Sequence, residues 1–246
     1  MTDVKTYIYG KHALLEALEN SPEVIEEVFL AKQFEDAELL GLLKKQVIVS
    51  NRKMPQEISD SAVHQGIVGV ISLPRLMKEY KTFADSLTIT PETSLILLGE
   101  LQDPQNVGAV IRSAAAFGVS GVLIPDNNQA QVTGSVVKVS AGMAFKVPLV
   151  SIGNVNTVVR DLKDRGFVVY GLAGDAKYTV PKEAFELPTL FILGNEAEGI
   201  REKTRELCDK LLSIPIHPKC ESLNAAASAA AALYAWSAKH PKALNR

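Results

Sequence analysis

Polar and glycine residues that could do chemistry are concentrated in three short segments after residue 100. Each segment follows a run of apolar residues that is typical of a buried strand, and each leads towards an Ala-rich or charged helix. In α/β folds, polar residues at strand ends come together from distant parts of the sequence to form binding and active sites. The three segments read DPQNVGAVIRSAAAFGV (103–119), LGNEAEGI (193–200) and SIPIHPKCESLNAAASAAAALY (213–234).

The first segment combines a predicted helix start with a basic side chain. Asn106 is a candidate N-cap, because an Asn side chain accepts hydrogen bonds from the free amides of a first helical turn. Gly108 permits a backbone or a ligand to approach closely. Arg112 lies within the first two turns of an otherwise apolar helix, where it suits a phosphate or a polarised oxygen. The alternative is a capping Asn beside a solvated Arg.

The second segment places two glycines and two polar side chains directly after the apolar run TLFIL. Gly194 and Gly199 permit unusual backbone angles, so main-chain groups there could contact an adenine or a ribose edge. Asn195 and Glu196 lie between the glycines. A plain strand-to-helix loop is the alternative interpretation.

The third segment has an SIP turn after a strand, then a polar loop, then a long helix. Ser222 is predicted to be the N-cap of this helix. Its hydroxyl and the Asn224 amide would lie at the positive end of the helix. The alternative interpretation is that Ser222 and Asn224 only cap the helix. We expect His217 in the loop to be exposed, and we assign it no role.

Composition limits the class of protein. The 246 residues carry a formal net charge of −2, and 47% are hydrophobic and 22% charged, as in an ordinary globular protein. No two glycines are separated by a single residue and no GKS or GKT occurs, which argues against an ordinary dinucleotide site and a P-loop.

Cysteine usage and apolar runs bear on metal binding and location. Cys208 and Cys220 have no CxxC pattern and no nearby Cys/His set, so we expect neither a metal site nor a disulfide framework. Cys208 is expected to pack as a small apolar side chain. The N-terminus shows no basic-then-apolar leader and no apolar run reaches membrane-span length, so we expect a cytoplasmic protein without a membrane segment.

A regular alternation of short apolar strands and helices begins at residue 94. Strands of four to six residues alternating with helices predict a parallel sheet that is covered on both faces. The predicted strands are 94–99, 121–124, 147–150, 167–172, 189–193 and 211–214. The predicted helices are 106–117, 134–142, 154–165, 201–208 and 224–239.

The part before residue 94 is predicted to form a smaller α/β module and a connection. Helices are predicted at 12–20 and 35–45, and strands at 26–31, 46–50 and 66–72. We expect three parts: a module at 1–73, a linker or connecting helix at 74–93 between prolines, and a larger domain at 94–246.

Charge is distributed unevenly between the two ends of the chain. Residues 1–73 hold 7 Lys and Arg against 11 Asp and Glu, a net −4, whereas residues 201–246 hold 8 against 4, a net +4. Because contacts to phosphates need local positive charge, the C-terminal part could face a nucleic-acid backbone. The acidic N-terminal part counts against a simple RNA clamp.

Taken together, the three segments resemble the signature of the SpoU/TrmH family of RNA ribose methyltransferases. The patterns NxGxxxRxAxxFG, LGNExxGI and SIPI…SLN occur in the family's order, and VVKVSAGMAFKVPLV (136–150) is similar to the stretch between its first two motifs. Upstream, YGKHALLEAL (9–18) and HQGIVGV (64–70) resemble the small N-terminal domain of the ribosomal-RNA branch. The resemblance covers nearly the whole chain and is closest to bacterial enzymes that methylate a guanosine ribose in 23S rRNA.

The resemblance implies a fold, a cofactor and an assembly. The fold is an α/β domain of the SPOUT type, a parallel sheet tied in a trefoil knot, preceded by a small RNA-binding domain like ribosomal protein L30e. Family members bind S-adenosylmethionine in the knot and form homodimers whose active sites draw on both subunits. The matching cofactor-binding positions here are Leu193, Gly194, Asn195, Gly199, Ile214, Pro215, Ile216 and Leu223.

The resemblance also implies catalytic roles. A ribose 2′-hydroxyl must lose its proton while it attacks a sulfonium methyl group in line, and positioning supplies much of such a rate gain. Arg112 matches the family's activating arginine. Since guanidinium stays protonated, we expect Arg112 to bind the adjacent phosphate and orient the hydroxyl, with that phosphate or Glu196 involved in proton removal. Asn106, Ser222 and Asn224 would hold Arg112 and the ribose.

Three other functions stay open. The same chemistry could act on tRNA, although the separate N-terminal module favours rRNA. The chain could be a non-catalytic RNA-binding protein of ribosome assembly, although that would predict loss of the motif residues. A small-molecule nucleotide enzyme would leave the N-terminal module unexplained. One departure is that the third motif reads IPI where relatives often have IPM, a mild change that should preserve cofactor binding, whereas the charged HPKCE loop could alter the pocket edge.

Overall fold

A computed structural model of the protein describes most of the chain, and all structural statements below refer to that part. The described residues are 6–31, 33–46, 48, 50–51, 65–195 and 197–245.

The N-terminal module is a four-stranded sheet with two helices. The elements are β1 Thr6–Tyr9, α1 Lys11–Asn20, β2 Ile25–Leu30, α2 Ala37–Lys45, β3 Ser50–Asn51 and β4 Ile67–Ile71. Strand order is β1-β4-β2-β3, and β4 is antiparallel to both of its neighbours. Apolar residues at helical spacing bury one face of each helix, with Leu14 and Leu39 fully enclosed.

Both helices and the strands near 26–31 and 66–72 confirm the sequence prediction to within two residues. The strand predicted at 46–50 is displaced: Gln46 ends α2, the strand starts at Ser50, and part of the predicted range lies outside the described residues. Strand β1 was not predicted, because its four residues TYIY give too short an alternation to read.

The larger unit is an eight-stranded sheet in which every neighbouring pair is parallel. The elements of this unit are α3 Leu73–Leu76, β5 Met77–Glu79, α4 Tyr80–Ser86, β6 Ser94–Leu98, α5 Pro104–Ala116, β7 Gly121–Pro125, α6 Gly134–Val139, β8 Leu149–Ile152, α7 Val155–Asp164, β9 Val168–Leu172, β10 Tyr178–Thr179, β11 Thr189–Leu193, α8 Glu202–Arg205, β12 Lys210–Ser213 and α9 Ala225–Ser237. The strand order is β10-β12-β9-β11-β6-β7-β8-β5.

Both faces of this sheet are buried, as the continuous apolar strands predict. On β6, Leu95 and Leu97 join one buried cluster, whereas Ile96 and Leu98 join another on the opposite face. The parallel α/β prediction is therefore confirmed. The trefoil knot and the likeness to a ribosomal protein stay predictions.

Residues 74–93 hold more structure than a linker. After α3 they form β5, which pairs in parallel with β8 at the edge of the large sheet, and then α4. The acidic cap Glu79 accepts hydrogen bonds from Lys81 and Thr82 and so starts α4. This segment is thus built into the larger sheet, while the domain limits at 73 and 93 stay a prediction.

The two units are in contact through α1, β1 and the region of α6. Glu16 is buried, and its carboxylate lies 2.9 Å from Lys146 Nζ. The Ser21 hydroxyl donates to the Phe145 carbonyl at 3.2 Å. A Cβ at Gly134 would lie 2.0 Å from the Tyr7 carbonyl oxygen, so only glycine permits this approach.

Among the described residues, no helix is long and apolar enough to cross a membrane. The same residues include no group of three His, Cys, Asp or Glu side chains placed to hold a metal ion.

Candidate active site

An open cavity of about 600 Å³ lies at the carboxyl ends of β9, β11 and β12. This is the edge of a parallel sheet where ligands of α/β proteins bind. The second and third motif segments meet here, although the twelve residues 201–212 separate them in the sequence. The predicted residues that line it are Leu193, Gly194, Asn195, Gly199, Ile214, Ile216, Ser222, Leu223 and Asn224.

Close backbone contacts shape the loop after β11. A Cβ at Gly194 would lie 2.4 Å from the backbone carbon of Gly199, and Gly199 itself adopts a positive φ of 70°. The Asn195 amide donates to the Gly199 carbonyl at 3.0 Å, and the reverse bond measures 2.9 Å. Both glycines are therefore required by the backbone path, as the sequence predicts.

The Asn195 side chain holds this loop in place. Its Oδ1 accepts from the amides of Ala197 at 2.8 Å and Glu198 at 3.2 Å, and its Nδ2 donates to the Glu100 carbonyl at 2.8 Å. Asn195 thus joins the ends of the adjacent strands β6 and β11. Glu196, the predicted participant in proton removal, lies outside the described residues.

Two positioning residues were missed by the sequence reasoning. Glu100, at φ 64°, carries a carboxylate that lies 2.6 Å from Arg201 Nη2. This ion pair fastens the turn after β6 to the segment after the Asn195 loop. The sequence does show that Glu100 and Arg201, which carry opposite charges, each follow a strand predicted for the same parallel sheet. It does not show that these two strands, β6 and β11, are neighbours.

The N-cap of the helix in the third motif segment lies two residues later than predicted, and the helix itself begins one residue later. Asn224, not Ser222, is the N-cap of α9, and its Oδ1 accepts from the amides of Ala226 at 2.8 Å and Ala227 at 3.2 Å. An amide caps well here because its oxygen reaches two free N–H groups at once. Ser222 instead lies exposed on the cavity wall, where its hydroxyl can meet a ligand.

The first motif segment also uses a different cap. Asp103 begins α5 by accepting from the Gln105 amide at 2.8 Å, so the prediction that Asn106 is the N-cap is wrong. Pro104 follows at the first helical position, which its fixed φ favours. Asn106 is buried inside the first turn, and its Oδ1 accepts from Asn224 Nδ2 at 2.8 Å. The first and third motifs therefore meet through these two amides.

Other residues of α5 face away from the cavity. Gly108 packs against α6, where an added Cβ would lie 2.6 Å from Val139 Cβ, so the close approach expected there is to a helix. Arg112 is exposed and is not among the cavity-lining residues, and it makes no hydrogen bond or ion pair within the described part of the chain. One subunit therefore does not bring Arg112 to the cavity with the other predicted residues.

The loop before α9 forms the outer wall of the cavity. His217 and Cys220 are exposed, and both line the cavity with Pro218 and Glu221. Pro215 is exposed but is not among the lining residues. Cys208 packs against the apolar cluster as predicted, and burial raises the pKa of its thiol to about 11.

The cavity combines apolar surface with hydrogen-bonding groups. Ile216 and Leu223 remain 37% and 39% exposed on its wall, so apolar surface is available there to a ligand. Ser222 and Asn224 supply polar atoms beside them. Fold and cavity together define an α/β protein with an open cavity of mixed polar and apolar lining at the carboxyl edge of a parallel sheet.

The family follows from sequence comparison. The SpoU rRNA Methylase family model matches residues 93–234, and the model for RNA 2′-O ribose methyltransferase substrate binding matches residues 7–77. The chain belongs to the SpoU rRNA methylase family, as its motifs predict.

Curated relatives match along almost their whole length. The chain is 36% identical over 233 residues to the 23S rRNA (guanosine-2′-O-)-methyltransferase RlmB of Salmonella typhimurium, covering 92% of this chain and 96% of that protein. The RlmB of Escherichia coli K12 gives the same identity and coverage.

Solved structures agree in fold. The SpoU methyltransferase AviRb from Streptomyces viridochromogenes, crystallised with the cofactor AdoMet, is 26% identical with a TM-score of 0.80, and the match covers 96% of this chain and 91% of that one. A TrmH/SpoU tRNA modifying enzyme of A. aeolicus matches 71% of this chain and 87% of its own, with a TM-score of 0.56 and 20% identity. At that identity the second match supports the fold alone.

Proposed function

We propose that the protein transfers the methyl group of S-adenosylmethionine to the 2′-hydroxyl of a guanosine ribose in 23S rRNA. The observation that carries this proposal is the 36% identity to RlmB enzymes across both units of the chain. Convergence of the second and third motifs on one cavity supports it from the structure.

The cavity suits S-adenosylmethionine in size and chemistry. Its volume of about 600 Å³ lies within the range of roughly 300–1,000 Å³ typical of cofactor sites. Leu193, Ile216 and Leu223 would cover the adenine ring, while backbone groups around Gly194 and Ile214 would bind its edge. The bound cofactor supplies an electrophilic methyl group on a sulfonium sulfur.

The chain's own contribution to catalysis is positioning. The Asn106–Asn224 bond joins α5 to the start of α9 beside the cavity, and Ser222 lies next to it. These groups would hold the ribose so that its 2′-oxygen points at the methyl carbon. Fixing two reactants in line can lower a barrier by about 7–11 kcal/mol in favourable cases. Arg112 would bind the neighbouring phosphate as a bidentate donor.

A homodimer would complete this site. Arg112 is exposed on α5 and has no partner within the described residues, so it is available to a second subunit. Nearby, α5 packs against α9, and Phe117 meets the 63% exposed ring of Tyr234 edge to face. Exposed aromatic surface of this kind marks interfaces between subunits. We place the partner there, with Arg112 of one protomer at the cavity of the other.

The substrate is tested by mapping 2′-O-methylation in total RNA with and without the gene, and by purified enzyme with 23S transcripts and labelled donor. Loss of one 23S guanosine methylation and its restoration in vitro are expected. A lost tRNA methylation would instead identify the tRNA alternative. Absence of S-adenosylmethionine binding at millimolar concentration in calorimetry would favour a non-catalytic assembly role.

The dimer is tested by mixing two inactive variants. Arg112→Ala and Asn224→Ala each disable a different half of the shared site, so a co-expressed mixture should recover about a quarter of wild-type activity through heterodimers. Each variant alone is the control. No recovery, or a monomer by light scattering, would contradict the shared site.

The compartment follows from the same function. We propose a cytoplasmic location, because the substrate is ribosomal RNA and both cysteines are free thiols.

A further inference from the structure

A second cavity of about 290 Å³ lies on the other side of the loop at 194–199. It shares Gly194 and Gly199 with the cofactor cavity, so the two spaces adjoin at these two glycines. Its walls come from the segments that follow β6, β7, β8 and β11. Nothing in the three motifs predicts it.

The second cavity lies where the strand order reverses. From β6 the chain proceeds to β7 and β8 on one side, and then to β9, β11 and β12 on the other. The crevice beyond the carboxyl ends of strands at such a switch point is the favoured ligand site of open α/β sheets.

The lining of the second cavity joins an apolar floor to a ring of amides. Leu97 and Ile192 form part of the floor, and both are almost fully buried. The rim carries four asparagines at the ends of β7 and β8, together with Glu100 and Arg201. The four are Asn127, Asn128, Asn154 and Asn156.

All four of these asparagines keep a free side-chain donor group. Asn154 Oδ1 accepts from the Thr157 amide as the cap of α7, and Asn156 Oδ1 accepts from the Thr204 hydroxyl at 2.8 Å. Their Nδ2 groups, and the whole side chains of Asn127 and Asn128, have no hydrogen-bond partner among the described residues. Asparagine amides present donors and acceptors side by side, as recognition of a base edge requires.

We propose that the second cavity binds the base of the nucleotide whose ribose is methylated. This rests on the proposed function, and it assigns base recognition to a space distinct from the cofactor cavity. A base there would lie over Leu97 and Ile192, with its ribose crossing the shared loop towards Ser222 and Asn224 and its 2′-hydroxyl towards the methyl donor. Specific RNA recognition commonly takes an unstacked base and reads its edge with hydrogen bonds.

The chemistry of the rim favours guanine. The amide donors of Asn127, Asn154 and Asn156 match the O6 and N7 acceptors of guanine. The second carboxylate oxygen of Glu100, whose partner oxygen binds Arg201, can accept from the 2-amino group. The cavity lies near the lower limit of small-molecule sites, so it suits one base and not a longer stretch of RNA.

Glycine positions permit a test that separates the two cavities. Gly153 lines the second cavity and Gly174 lines the cofactor cavity, and at each an added Cβ would meet no atom within 4 Å. Gly153→Leu should therefore raise the KM for 23S transcript at least tenfold and leave the Kd for S-adenosylmethionine within twofold. Gly174→Leu should weaken S-adenosylmethionine instead. Asp164→Leu, at the exposed far end of α7, controls for an added leucine.

A second variant tests the same cavity by a smaller change that should not disturb folding. Asn127→Ala removes an exposed side chain without a described partner, and should raise the RNA KM severalfold with unchanged cofactor affinity. Transcripts carrying inosine at the methylated position lack the 2-amino group and should be methylated several times more slowly.

The outcomes distinguish the two levels of the proposal. Wild-type KM for RNA in both Gly153→Leu and Asn127→Ala would overturn the base site while the methyltransferase assignment stands. A wild-type enzyme that methylates no RNA would overturn the proposed function itself.

Discussion

Asn224 shows how one side chain can serve both fold and site. Its oxygen caps α9, and its nitrogen donates to the buried Asn106 of α5. The two roles use opposite ends of one amide, so neither Asp nor Ser could reproduce both. The start of α9 is thereby held against α5 at the edge of the cofactor cavity.

Asn224→Ala is expected to lower the free energy of unfolding by about 1 kcal/mol, because the helix cap is lost. Its kcat/KM for RNA should fall much further than this loss of stability explains. The reason is that, under the proposed function, the Asn106 contact positions the ribose end of the site. Thermal denaturation and kcat/KM for RNA measure the two effects. Glu79→Ala removes the cap of α4, remote from both cavities, and should lower stability without reducing kcat. Wild-type turnover in Asn224→Ala would show that Asn224 serves only as a helix cap.

At the scale of elements, the loops after β6 and β11 act as one unit. The Gly99 amide donates to the Leu193 carbonyl at 2.6 Å, and a Cβ at Gly99 would lie 2.3 Å from that oxygen. Asn195 and the Glu100–Arg201 pair add two further links. Because residues of this unit line both cavities, a displacement of its backbone would change the shape of both.

Gly194→Ala is expected to weaken S-adenosylmethionine binding at least tenfold. The new methyl group would collide with backbone at Gly199, which cannot yield as a flexible side chain would. Calorimetry gives the cofactor Kd. Gly41→Ala on α2 meets no atom within 4 Å and should instead stabilise its helix by about 0.5–1 kcal/mol. Cofactor affinity unchanged in Gly194→Ala would show that the loop relaxes at no cost.

At the scale of the whole molecule, the small unit packs on the large one through a partly buried ion pair. Glu16 is buried on α1, and Lys146 approaches it from the segment after α6. Asn20 also donates to the Glu16 carboxylate at 3.1 Å. A buried carboxylate that loses its cation is costly, since water cannot replace the cation fully.

Lys146→Met should lower the free energy of unfolding by about 1–2 kcal/mol, less than a fully buried pair because the lysine is 40% exposed. Urea denaturation measures the change. Arg205→Met breaks a pair with the exposed Asp175 and should have a much smaller effect. Equal effects of the two substitutions would show that burial of Glu16 adds nothing to the contact between the units.

The sequence by itself determined the parallel α/β architecture and most of the motif residues that line the larger cavity. Apolar strands of four to six residues leave no polar face, so they must be covered on both sides, and the glycines and amides at their carboxyl ends can only lie at one edge. Gly194, Asn195 and Asn224 could be found this way because their types suit strand ends and helix starts locally.

Only the tertiary structure decided which strand ends are neighbours. The Asn106–Asn224 bond, the Glu100–Arg201 pair and the second cavity all depend on the strand order, which no local pattern encodes. The exposed position of Arg112 also depends on long-range packing. Helix periodicity predicts which face of α5 carries Arg112, but it does not predict which part of the molecule packs against that face. Local chemistry selects the residues of a site, whereas long-range packing decides which of them meet.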